Sequence, residues 1–109
     1  MSTYVWNCRS LGNEATVREL RDFAREFAPS ILCVVETQIH KDRVERLAST
    51  LGYDHAFAVS SSGRSGGLGI FWNSDIKIDL LPYSQYHIDA VVTPSDSEPW
   101  RLKCVYGEA

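Results

Sequence analysis

Ile31-Leu32-Cys33-Val34-Val35-Glu36 is a short apolar run closed by a carboxylate, and its reading decides the fold. It is rich in β-branched residues and follows Ala28-Pro29-Ser30, so it predicts a buried strand of a mostly parallel sheet. Glu36 must then emerge at the carboxyl mouth of that strand or find a partner, because an unpaired buried charge is very costly. The carboxyl ends of parallel strands are where α/β proteins place ligand and metal sites. Tyr4-Val5-Trp6 ends in the same way, on the amide of Asn7. An amide and a carboxylate at two strand ends suit a shallow, oxygen-lined site for a hard cation such as Mg2+. The plainer reading is that Glu36 only caps or salt-bridges the loop that follows.

Outward from this strand, the pattern is helical on both sides. Asn13 is a plausible N-cap, Glu14 suits a first turn, and Val17, Leu20, Ala24 and Phe27 recur at helical spacing. This predicts a helix over Glu14–Phe27 that Pro29 stops. A second helix is predicted over Lys41–Leu51, burying Val44, Leu47, Ala48 and Leu51, with Gly52 beyond its end. Strand, helix, strand and helix in that order make a right-handed α/β unit. From Ala56 onward the segments become short and alternating: Ala56–Val59, Leu68–Trp72, Ile76–Leu81, Tyr86–Val92 and Arg101–Tyr106. Turn residues separate them, which predicts an antiparallel meander. The expected fold class is therefore α/β, one mixed sheet with two helices on one face. The other face, with Phe57, Ile70, Trp72, Val91 and Val105, has no evident cover, and layered domains require one. The 109 residues thus read as half of something, with a bare face expected to self-associate.

Composition narrows the function classes. Apolar residues make up 44% and charged residues 23%, ordinary values for a globular chain. No stretch approaches the ~20 apolar residues of a membrane span, and the start lacks a basic segment followed by an apolar one, so no membrane role and an intracellular setting are expected. A net charge of −3 exerts no global pull on nucleic acid. Arg18, Arg21 and Arg25, and Lys41, Arg43 and Arg46, are interleaved with acids at helical spacing and read as solvated helix faces. Cys8, Cys33 and Cys104 are odd in number, lack C-x-x-C spacing and lie in apolar stretches, which argues for buried reduced thiols.

Five segments in series carry a family resemblance: W-N-C-R-S-L-G-N at 6–13, I-L-C-V-V-E-T at 31–37, G-R-S-G-G-L-G-I-F-W at 63–72, H-I-D at 87–89 and W-R-L-K-C-V-Y-G-E at 100–108. Together they resemble the N-terminal half of an endonuclease/exonuclease/phosphatase (DNase-I-like) domain, nearest to the endonuclease domain of plant LINE-type non-LTR retrotransposons. The resemblance implies half of a four-layer α/β sandwich, with residues 1–109 its incomplete N-terminal portion. It implies DNA as partner and Mg2+ as cofactor. It assigns Glu36 to the metal, Asn7 to orienting the metal-bound phosphate, and Tyr106 to the scissile phosphate. The later motifs that activate the attacking water have no counterpart in this sequence. His40, His55 and His87 do not match the family's catalytic histidine and read as surface or loop residues. Ser10 stands where relatives have glycine, so a left-handed turn there would cost about 1 kcal/mol.

The loop Ser60–Gly67 is glycine-rich but lacks the lysine and following helix of a P-loop. Arg64 could touch a nucleic-acid backbone or simply sit in a hairpin loop. Trp6, Trp72 and Trp100 read as interlayer residues rather than base-stacking platforms. The expected function is a truncated Mg2+-dependent endonuclease of retrotransposon origin, inactive alone. The alternatives are a non-catalytic interaction module and a functionless fragment of a transposable element. Nuclear location follows only from the DNA partner.

Overall fold

The computed structural model describes residues 1–62 and 65–105. β1 (Thr3–Asn7) and β2 (Ile31–Val35) pair in parallel, with Asn7 beside Val35, and α1 (Glu14–Phe27) makes the crossover between them. The helix starts where the Asn13 side chain accepts from the Ala15 N–H at 2.8 Å. It stops at Ala28, which takes a left-handed conformation and donates its N–H to Ala24 O. Both ends fall where the sequence predicts them.

The predicted Lys41–Leu51 helix is divided into α2 (Lys41–Glu45) and α3 (Ala48–Leu51). At the junction the Leu47 N–H reaches back only three residues, to Val44 O at 3.0 Å, which tightens the turn. The Glu45 carboxylate accepts from the Ala58 N–H instead of following the helix surface. Val44 and Leu51 are still buried, so the apolar face survives the break.

β3 (His55–Val59) and β4 (Leu68–Trp72) form an antiparallel hairpin, and β4 also pairs antiparallel with β2. The result is a mixed four-stranded sheet of order β1-β2-β4-β3. One face carries Leu32, Val34, Ala58 and Phe71, which pack with Leu20, Ala24, Val44 and Leu51 of the helices. Gly69 sets the spacing there: a Cβ on it would lie 2.9 Å from Val44 Cγ1 and 3.1 Å from Val34 Cγ2. Any larger residue would lift α2 off the sheet.

β5 (Ile76–Leu80), β6 (His87–Pro94) and β7 (Trp100–Val105) form a second, antiparallel sheet. Here the expectation of a bare face is corrected. Ile31, Cys33, Val35, Leu68 and Ile70 of the first sheet pack against Ile76, Ile88, Val92, Leu102 and Cys104 of the second. Ile70 is fully buried, and Phe57 and Trp72 rest against the same core. Val105 does not share that face: it follows the inward Cys104 by one residue and is 59% exposed on the outside. The meander folds back as a lid on the first sheet instead of extending it, because only then do both alternating strand patterns find an apolar partner.

On the outside of the second sheet Asp89 is nearly covered by Arg101, whose Nε and Nη2 donate to its two carboxylate oxygens at 2.7 and 2.6 Å. That bidentate contact holds the Asp89 carboxyl below its ordinary value. β1 contrasts with its neighbours. Among the described residues it is an edge strand bonded on one side only, and Tyr4 and Val5 are 49% and 55% exposed.

Candidate functional site

Three connections meet where β1 and β2 end. The first, residues 8–11, follows β1; the second, 36–38, follows β2; the third, 66–67, leads into β4. Backbone hydrogen bonds knit them together. Cys8, Ser10 and Leu11 donate to the carbonyls of Val35, Glu36 and Thr37 at 2.8–2.9 Å. From the other side, the Thr37 and Gln38 N–H groups donate to Gly67 O and Gly66 O at 3.3 and 2.9 Å. Deeper in the same third connection, Ser61 donates to Ile39 O and Ser60 Oγ accepts from the Lys41 N–H. The segment after β2 is thus clamped along its whole length.

The clamp imposes unusual backbone. Arg9, Ser10, Glu36 and Gln38 all have positive φ, at 51°, 98°, 57° and 57°. Non-glycine residues enter this region rarely, and clusters of them mark sites where geometry outranks local preference. Ser10 pays the expected conformational cost, and its Oγ accepts from the Gly12 N–H. Gly67, at φ 95°, lies so close to Thr37 that an added Cβ would overlap the threonine hydroxyl. Thr37 is wholly buried, and its Oγ1 has no hydrogen-bond partner among the described residues.

Glu36 is half-buried on this rim and, among the described residues, makes no side-chain hydrogen bond or ion pair. Its charge is nevertheless felt. Burial, and then the Glu36 carboxylate, push the Cys8 thiol up to about 12. Asn7, the last residue of β1, is exposed, and its Oδ1 accepts from the Arg9 N–H at 3.2 Å. That turn occupies the amide oxygen and leaves the amide N–H groups to face outward partners. The parallel register sets Asn7 beside Val35, one residue before Glu36. Tyr106 and Arg64, the other two residues singled out from the sequence, lie outside the described residues.

Among the described residues no three His, Cys, Asp or Glu side chains gather as a metal-binding group. A cation at this rim would therefore take one carboxylate and fill its shell with other oxygens, the arrangement Mg2+ tolerates best. The histidines are elsewhere. His40 caps α2 by accepting from the Asp42 N–H, His55 contacts Ser74 Oγ, and His87 contacts Ser84 Oγ at 2.7 Å. A polar pocket of about 330 Å³ beside Met1, Ser30, Asp75 and Asp96 opens at the amino ends of β1 and β2, the end opposite the rim. The tryptophans are half-buried, Trp6 against Phe23 and Trp72 against His55.

The sequence reading missed the Thr37–Gly67 contact and the exposed Arg9 on the rim. The Gly66-Gly67 pair was a usable signal for a close backbone approach, whereas nothing local marks Glu36 and Gln38 as left-handed.

A sequence profile described as the Endonuclease/Exonuclease/phosphatase family matches residues 4–107. No curated protein sequence matches the chain. Among solved structures, the AP endonuclease LMAP of Leishmania major superposes with a TM-score of 0.64 at 18% identity, over 94% of this chain and 39% of that one. The 3'-5' exonuclease NExo of Neisseria meningitidis gives 0.65 at 23%, over 97% and 41%. An AP endonuclease of Archaeoglobus fulgidus gives 0.57 at 23%, over 79% and 35%. The chain spans about two fifths of the length of these relatives.

Proposed function

Because the chain belongs to the Endonuclease/Exonuclease/phosphatase family, we propose that it is the metal-holding portion of a divalent-cation-dependent phosphodiester hydrolase acting on DNA. The observation that carries this reading is Glu36: a half-buried carboxylate with no partner among the described residues, held by a clamped, left-handed backbone at the mouth of two parallel strands. The family is generally metal-dependent, and Mg2+ is the proposed ion. One relative, the 3' phosphatase NExo from Neisseria, was solved bound to a product DNA hairpin, which supports DNA as the partner.

In this reading Glu36 supplies the protein's ligand to the metal. Asn7 offers its amide N–H groups to a phosphate oxygen, its carbonyl being occupied by Arg9 N–H. The bound cation would offset negative charge developing on a cleaved phosphodiester. Tyr106 and Arg64 are proposed as phosphate contacts on the strength of the family resemblance alone. The motif order favours descent from the endonuclease of a plant LINE-type retrotransposon. No group that activates water has been assigned in residues 1–109, so the chain by itself is proposed to be inactive. General-base catalysis alone is worth about 10²–10⁴-fold. A second reading, a non-catalytic interaction module, is favoured by the bare edge of β1.

Calorimetric titration with Mg2+ and Mn2+ tests the assignment. Weak binding, in keeping with one protein carboxylate and a shell left mostly to water, is expected to vanish in Glu36→Gln. Supercoiled plasmid should be nicked no faster by the chain than by that variant. Binding that survives Glu36→Gln would move the metal elsewhere and end this reading.

A further inference from the structure

The turn between β5 and β6 stands at the same end of the sandwich as Glu36. The pocket at the amino ends of β1 and β2 is lined by Ile76 and Pro94, where β5 starts and β6 ends. The other ends of those two strands, Leu80 and His87, therefore lie toward the rim. Residues 80–87 read Leu-Leu-Pro-Tyr-Ser-Gln-Tyr-His, with no carboxylate among them. Leu80, Tyr83 and Tyr86 are 40%, 54% and 42% exposed, although the strands they join enter a closed core. The two phenols are nevertheless held in place. Tyr83 sets its ring against Phe57 of β3, with centroids 4.9 Å apart and planes at 68°. Gln85 and Tyr86 form a turn closed by Ser84 and His87, whose N–H groups donate to each other's carbonyls at 3.0 and 3.4 Å. Ser84 Oγ accepts from the Tyr86 N–H at 3.1 Å and meets His87 Nδ1 at 2.7 Å.

We propose that Tyr83 and Tyr86 form a stacking platform for unpaired nucleobases of a DNA strand whose backbone runs on to Glu36. This rests on DNA as the partner and adds the form in which it is held, a single strand with its bases turned toward the protein. Every base has a π-face, so stacking on tyrosine tolerates any sequence. Rings already fixed by a neighbour or a turn pay little ordering cost on binding. Charge favours a polyanion here. The outer face of the second sheet carries Lys77, Arg101 and Lys103 against Asp79 and Asp89, a positive surplus on a chain of net −3. Asp89 is moreover covered by the Arg101 guanidinium. Through Ile70, Phe57 is level with Cys33, which places Tyr83 about 10 Å across the first sheet and about 10 Å along it from Glu36. That separation is on the order of four nucleotide steps, so the platform grips the strand to one side of the linkage at the metal. The exposed rings of Tyr4 and Phe27 offer no such platform, since both close on Phe23, at 4.6 and 5.0 Å.

The test compares two labelled strands by fluorescence anisotropy, in EDTA so that no metal contributes. One is a short oligothymidylate, and the other has the same length and phosphates but abasic sugars throughout. The oligothymidylate should bind at least about fivefold more tightly, and added salt should weaken both strands while leaving that preference. Tyr86→Ala should abolish the preference and Tyr83→Ala should reduce it. Tyr86→Phe should keep it, whereas Tyr86→Leu, apolar but without a π-face, should not. Should Tyr83→Ala unfold on losing Phe57, the Tyr86 variants decide alone. Glu36→Gln should leave the preference intact, which separates the two readings. A base preference without Glu36-dependent metal binding would uphold the platform and sink the hydrolase, and metal binding without a base preference would do the reverse. Equal affinity for the two strands, no binding of either, or a preference that survives Tyr86→Ala would each overturn the proposal. So would self-association that falls in Tyr86→Ala with no base preference, which would give the patch to a second copy of the chain.

Discussion

Replacing Gly67 with alanine puts the clamp around Glu36 under a direct load. Two terms can be separated from the structure. At φ 95° an alanine carries a conformational cost of about 1 kcal/mol. Its Cβ would also overlap Thr37 Oγ1 and lie 3.1 Å from the Gln38 nitrogen, and overpacking of this kind costs about 1–3 kcal/mol. Together they come to roughly 2–4 kcal/mol, a large part of the stability of a small domain. Gly52 supplies the control. It has nearly the same φ, 91°, but nothing within 4 Å of an added Cβ, so Gly52→Ala should show the conformational term alone. Urea unfolding followed by circular dichroism measures both. With a slope of about 1.5 kcal/mol per M, Gly67→Ala should lower the midpoint by roughly 1.3–2.7 M and Gly52→Ala by less than about 1 M. Equal shifts in the two variants would mean the threonine hydroxyl does not press on Gly67, and the account of how Glu36 is held would fail.

Other outcomes follow from charge and cover. Because burial and, after it, Glu36 raise the Cys8 thiol, Glu36→Gln should modestly speed alkylation of Cys8 at pH 8–9, and saturating Mn2+ should do the same in the native sequence; unchanged rates would separate the two groups. The Asp89 carboxyl is held low by Arg101, so its contribution is present above the unfolded carboxylate value of about 3.9 and lost as pH falls through the folded one. Arg101→Met should therefore destabilise the chain at pH 7 and make its acid limb shallower between about pH 4 and 2, read by thermal melts across pH. With the interlayer face covered, a single cooperative melt is expected. Any light scattering should trace to β1 and fall in Val5→Lys, a charge that discourages edge pairing; a non-cooperative melt would mean the two sheets do not fold as one unit.

Much of the architecture could be read without coordinates, for reasons tied to particular residues. The β-branched run at 31–35 and the capped, periodic 14–27 segment carry their structure locally, so β2 and α1 came out with their ends in place. The break between α2 and α3 was not readable. It depends on where Ala58, thirteen residues beyond Glu45, offers its N–H. The second sheet was recognisable as strands but not as a lid, since alternation announces that one face is buried and says nothing of its partner. At the candidate site, Asn7 and Glu36 stood out because each ends an apolar run. The positive φ of Glu36 and Gln38 left no trace, since it comes from hydrogen bonds to residues 66 and 67, about thirty positions away.

The exposed edge of β1 has a consequence for how such a site could be completed. The first sheet can grow beside Asn7, since among the described residues nothing pairs with β1's outer N–H and C=O groups, and no proline or charge lies along Thr3–Asn7 to obstruct a strand there. A strand arriving there would cover Val5, and its own terminus would stand next to Asn7, two places from Glu36. Whatever polypeptide supplied that strand would gain apolar contact and, by the same step, deliver its side chains to the rim.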